Sequence, residues 1–117
     1  MGDIVKPMKE IPEGVDREAI VRAVSAAVKP KRIILFGSRA RGDSKPDSDT
    51  DICVIVDKIE GSQFGAGANI HRRLFDEAPG SYDILLYEES NFDERRVFRS
   101  TVEYTIAREG VLLYDGP

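Results

Sequence analysis

The sequence predicts an α/β (α+β) domain in which a small mixed β-sheet carries helices packed on it. Three observations lead there. Short apolar, largely β-branched runs recur at residues 32–36, 52–56 and 82–87, bounded by Gly, Pro, Asp or Ser. The segments between them repeat apolar residues at helical spacing. A chain of 117 residues, 41% hydrophobic and 32% charged, is long enough for one core and too short for two.

Asp16 stands where an N-cap belongs, and Ile20, Val21, Val24, Ala27 and Val28 then mark one face of a helix that Pro30 ends. Residues 32–36 form a short buried strand that stops at Gly37, where the chain turns into a short helix. Residues 52–56 are apolar without alternation, as in a central strand covered on both faces. Residues 61–67 are rich in glycine and read as a connecting loop, with a mobile lid over a ligand as the alternative. A helix over 68–78 places Ile70, Leu74 and Phe75 inward, and His71 near its start. After the third strand, 82–87, Ser90 and Asp93 resemble a capping box opening a helical stretch to Arg108, kinked between Asp93 and Arg96. Phe92 and Phe98 fit its inner face; Tyr82, Tyr87, Tyr104 and Tyr114 read as core or edge aromatics. Gly110 ends the helix, and 111–114 add an edge strand. There is no internal repeat and no linker, so the expectation is an N-terminal extension, 1–15, and a single domain, 16–117.

Composition excludes several classes of function. The longest unbroken apolar run is 33–36, against the roughly 18 residues of a membrane span. The first residues hold no apolar signal core, and Lys6 stands where a myristoylation signal needs Ser or Thr. The expectation is a cytoplasmic protein without membrane association. With one Cys and one His the chain has neither an internal disulfide nor a zinc ligand set, so any metal binds oxygen. A net charge of −4 argues against direct DNA binding. The charge is unevenly placed: Lys29, Lys31, Arg32, Arg39 and Arg41 come without an acid, whereas Asp43, Asp47, Asp49, Asp51, Asp57 and Glu60 face only Lys45 and Lys58. Charge alone reads equally well as two solvated faces.

Chemistry concentrates between Leu35 and Ile52. A strand that ends in Gly37-Ser38 and turns into a helix offers backbone N–H groups and a hydroxyl to a phosphate, and Gly37 lets the phosphate approach. Asp49 and Asp51, two apart at a strand start, point to the same face, where they repel unless a divalent cation lies between them. Asp83, early in the third strand, joins them if the two strands are neighbours. Three acids around Mg²⁺ suit in-line nucleotidyl transfer.

The order Gly37-Ser38, Asp49-x-Asp51, Asp83 resembles the minimal nucleotidyltransferases (MNT) of the DNA polymerase β superfamily. The run Gly37-Ser38-Arg39-Ala40-Arg41-Gly42, the Ser48-Asp49 pair and the ending from Ile106 to Tyr114 strengthen the likeness, which spans Asp16 to Tyr114. The resemblance implies a polymerase β palm-like fold. It implies Mg²⁺, or Mn²⁺ in its place, held by Asp49, Asp51 and Asp83, with Asp83 helping to activate the acceptor hydroxyl. It also implies ATP held through Gly37 and Ser38; Ser48, Arg39 and Arg41 are further candidates for phosphate contact, which the resemblance leaves open. Many members of that subgroup neutralise a HEPN-domain toxin, some by transferring AMP from ATP to a tyrosine of that ribonuclease. The implied role is therefore an antitoxin and protein adenylyltransferase, in a hetero-oligomer or homo-oligomer. Masking of the HEPN partner without catalysis is the alternative, and nucleotidyl transfer to RNA or a small molecule a third.

The residues also admit plainer roles. Arg39 and Arg41 read as structural ion pairs with Asp43 or Asp47 more readily than as phosphate ligands. Thr50, between the two acids, points the other way into packing. Asp47 reads as a turn residue, Cys53 as core and His71 as surface.

Overall fold

The computed structural model describes residues 10–116, so most of the expected N-terminal extension lies outside the described residues. The chain order is α1 (Arg17–Ala27), β1 (Pro30–Phe36), α2 (Gly37–Arg41), β2 (Thr50–Val56), α3 (Gln63–Glu77), β3 (Tyr82–Glu88), α4 (Glu89–Arg95), α5 (Val102–Glu109) and β4 (Val111–Asp115). Asp16 caps α1 as its sequence predicts: its Oδ1 accepts the Ala19 N–H at 3.1 Å. Ala19, Ile20, Ala23 and Val24 form the buried face.

The sheet order is β3-β2-β1-β4. β1 runs antiparallel to both β2 and β4, whereas β2 and β3 are parallel, because α3 carries the chain back between them. β2 is central, and its continuous apolar run is explained by cover on both faces. Ile52, Val54 and Val56 pack with Ile20 and Val24 of α1 and Ile70 and Leu74 of α3. Cys53 and Ile55 pack on the opposite face with Phe92 of α4 and Ile106 of α5. Strand alternation puts Asp51 on the α4/α5 face, in line with Cys53, and Asp83 there too, in line with Leu85 and Tyr87.

Several elements differ from the sequence prediction. The glycine-rich stretch is not a loop throughout: α3 begins at Gln63, with Ser62 Oγ accepting the Gly65 N–H at 2.9 Å and Ala66 packed on the core. Capping and packing outweigh the cost of about 1 kcal/mol for each helical glycine. His71 is therefore in mid-helix, although exposed as expected. Phe75 does not face inward but is 78% exposed, because Ile70 and Leu74, one turn apart, take the inward line and the next residue rotates off it. Ser90 opens no helix: α4 starts at Glu89, and Asp93 pairs instead with Arg96 at 3.1 Å. The interruption lies later, and α5 has its own cap, Thr101 Oγ1 accepting the Tyr104 N–H at 3.0 Å. Phe92 is fully buried, but Phe98 sits in that interruption and is exposed.

Candidate active site

β1 ends at Gly37, whose φ of +76° lies in the left-handed region. A Cβ there would collide with the carboxylate of Asp51. Glycine is thus required twice, once for the turn and once for the close approach of an acid. Ser38 follows, and its carbonyl accepts the N–H groups of Gly42 and Asp43 at 2.9 and 3.1 Å, which closes the five-residue α2.

Asp51 sits opposite Phe36 on β1 and opposite Asp83 on β3, so the parallel register brings together two acids 32 positions apart in sequence. Asp49 precedes β2 and accepts a hydrogen bond from the Ser81 hydroxyl. The Ser81 carbonyl in turn accepts the Thr50 N–H at 2.8 Å, which ties the start of β2 to the start of β3. The Asp51 carboxyl is pushed above the usual carboxylate range. Burial is the largest cause, followed by the negative charges of Asp83 and Asp49 and a hydrogen bond with Asp83; the Arg41 guanidinium pulls the other way. Thr50 is buried, on the opposite face from the acids.

The remaining residues singled out from sequence surround these acids in different ways. Arg39 spans the 42–49 loop, its guanidinium donating to the Ser48 carbonyl at 2.6 Å and to Ser44 Oγ at 3.5 Å. Ser48 Oγ accepts the Lys45 N–H at 2.8 Å. Arg39 and Ser48 therefore brace the loop that delivers Asp49. Arg41 pairs with Asp43 at 3.1 Å, both exposed, while still acting on Asp51 through its charge. Sequence reasoning missed Ser81. Its signal was its place immediately before the third strand, matching that of Asp49 before the second.

Among the described residues no three Asp, Glu, His or Cys side chains close into a preformed metal cage. A divalent cation that completes its shell with water and substrate phosphates needs no such cage. The crowded charge at Asp51 is the local excess that such a cation relieves.

The nucleotidyltransferase domain family model matches residues 17–108, from the first residue of α1 into α5. The chain belongs to this family. The match includes the glycine turn and all three acids of the nucleotidyltransferase. Solved structures agree on the fold. A protein of Sulfolobus solfataricus assigned as a nucleotidyltransferase is 26% identical, with a TM-score of 0.56, over 85% of this chain and 76% of that one. A toxin–antitoxin complex with AMP-PNP is 20% identical, with a TM-score of 0.63, over 86% and 74%. A mutant of the toxin–antitoxin pair MntA–HpeT is 17% identical, with a TM-score of 0.60, over the same shares of 86% and 74%. The curated proteins contain no significant match. No helix among the described residues is long and apolar enough to cross a membrane.

Proposed function

We propose that this nucleotidyltransferase transfers AMP from ATP to a tyrosine of a partner HEPN-domain toxin and thereby acts as its antitoxin. The observation that carries the reading is the pairing of Asp51 with Asp83 across β2 and β3, with Asp49 alongside and Gly37 behind. The likeness of fold to two toxin–antitoxin structures, one holding an ATP analogue, supports a toxin as the partner and ATP as the nucleotide.

In this reading the backbone of Gly37 and the Ser38 hydroxyl hold the triphosphate. Asp49, Asp51 and Asp83 hold Mg²⁺, which when bound offsets phosphate charge and favours ionisation of the acceptor hydroxyl. The tyrosine oxygen forms its bond to the α-phosphorus, the bond from that phosphorus to the α–β bridging oxygen breaks, and pyrophosphate leaves with the electron pair. The phenolic proton passes to Asp83. Arg39 and Ser48 keep the loop in place so that Asp49 and Asp51 stay aligned, and Arg41 adds positive potential near the phosphates.

Masking of the partner by binding alone is a second reading, favoured by the exposure of Phe64, Phe75, Val97 and Phe98. Intact mass spectrometry separates the two. The product of the neighbouring gene is co-expressed with the wild-type chain or with the double variant Asp49→Asn, Asp51→Asn, then incubated with ATP and Mg²⁺. Transfer predicts AMP-sized additions with the wild type alone. An unmodified partner in a tight complex supports masking, and modification by the double variant rules out the acid mechanism.

A further inference from the structure

β3 is an edge of the sheet, paired with β2 on one side and with no strand among the described residues on the other. Seven residues of bare strand are a template for another chain unless something occupies them. Among the described residues a side chain does so: Gln63 Nε2 donates to the Leu86 carbonyl at 3.0 Å. A strand residue turns its main-chain N–H and C=O to the same side, so those of Leu86 point to the open edge, and so do those of Ile84, two residues before it, while both side chains pack on the core. The Gln63 amide stands in for the main-chain N–H of a missing neighbour.

A groove of about 1050 Å³ straddles β3 from α3 to the connection between α4 and α5; Leu86, Tyr87 and Phe98 form its apolar part, and Glu88, Glu94 and Gln63 are among its polar lining. Phe64, 87% exposed, is the next residue on α3. Phe75, three turns further on, lies on the same side of that helix. The acid Asp83 is on the same strand, three residues before Leu86. Side chains of an added strand alternate between faces, and those on the Asp83 face lie over the acid cluster.

We infer that the β3 edge is the docking site for the acceptor polypeptide. An extended, tyrosine-bearing segment of the partner adds to β3 as a fifth strand, seats apolar side chains against Phe64 and Phe98, and presents its hydroxyl beside Asp83. The inference rests on the transfer reading above. A second copy of β3 fits less well, because it brings a further Asp83 and Glu88 to an edge that already holds both.

The test uses the full chain with the co-expressed product of the neighbouring gene. Backbone hydrogen exchange is measured at Ile84 and Leu86, and acceptor kinetics are measured for Phe64→Asp and Phe98→Asp, both at exposed positions. Complex formation is expected to slow exchange at both amides. Each variant is expected to raise the KM for the acceptor protein roughly tenfold or more, with the KM for ATP and the melting temperature unchanged. AMP transfer that persists without β3 protection and without any effect of the variants overturns the docking site and leaves the transfer reading standing. Protection of β3 without AMP transfer confirms strand addition and refutes the transfer reading. Protection in the isolated chain, with a dimer in sedimentation, or no complex at all, overturns the inference.

Discussion

Asp83→Asn is expected to stabilise the chain while abolishing its activity. Asp51 and Asp83 are register partners on neighbouring parallel strands, and such strands lie about 4.8 Å apart. The side-chain hydrogen bond between the two acids makes about 5 Å an upper bound on the carboxylate separation, where the repulsion is about 0.8 kcal/mol in bulk water and about 3.3 kcal/mol at an effective dielectric constant of 20. Asp83 is exposed and Asp51 half-buried, so solvent screening holds the value near the lower limit, about 1 kcal/mol. For a domain of this size that corresponds to a rise in Tm of about 3–6 °C. The pH dependence follows from the raised Asp51 pKa. Stability contributed by its protonation is complete below the ordinary carboxylate value of about 3.9 and is lost as pH rises through the folded value. The wild type therefore bears the full repulsion at pH 7 and little at pH 3. Urea and thermal unfolding in chelator should show the variant ahead at pH 7 and level with the wild type at pH 3. Added Mg²⁺ should raise the wild type and leave the variant unchanged. A variant no more stable than wild type at pH 7, or equally favoured at both pH values, refutes the crowding argument.

Gly37→Ala places a Cβ against Asp51 at φ +76°; a loss of about 1–3 kcal/mol in urea unfolding is expected, together with loss of nucleotide binding. Tyr87→Phe removes the hydroxyl that donates to buried Glu103 at 2.5 Å. It should cost about 1–3 kcal/mol, whereas the pair Tyr87→Phe, Glu103→Leu should cost less than the two single changes added, as a double-mutant cycle would show. Arg39→Ala frees the Ser48 carbonyl; faster hydrogen exchange over residues 43–49 and weaker ATP binding by calorimetry are expected, with global stability changed by about 1 kcal/mol or less.

What could be read locally proved correct where the cause was local. The Asp16 cap, the three apolar runs and the stop at Gly110 are properties of short windows of sequence, and each element lies within a residue or two of its expected place. The glycine turn was legible for the same reason, and so was the nearness of Asp49 to Asp51, two positions apart, although Asp49 lies just before the strand that holds Asp51. The failures turned on how each segment is capped and which way it faces the sheet. Gly65 and Gly67 are poor helix formers, yet Ser62 caps their helix and α1 and the sheet hold it, with 69 reaching back to 27 through the bond from Asn69 to the Ala27 carbonyl. Phe75 and Phe98 have the composition of core residues, and only the direction in which each backbone segment faces leaves them outside.

By itself the sequence determined the order of elements, the central place of the 52–56 strand and the acids available to a cation, because these follow from periodicity and residue chemistry. Tertiary structure alone decided that β2 and β3 run parallel in a register that sets Asp51 against Asp83. It decided too that Asp51 rests on Gly37, and that Arg39 braces the loop that carries Ser48 and Asp49. The physical reason is that register and loop bracing are fixed by contacts made across the sheet after the chain has crossed over through α3, and no local pattern of residues encodes where that crossing sets the strand down.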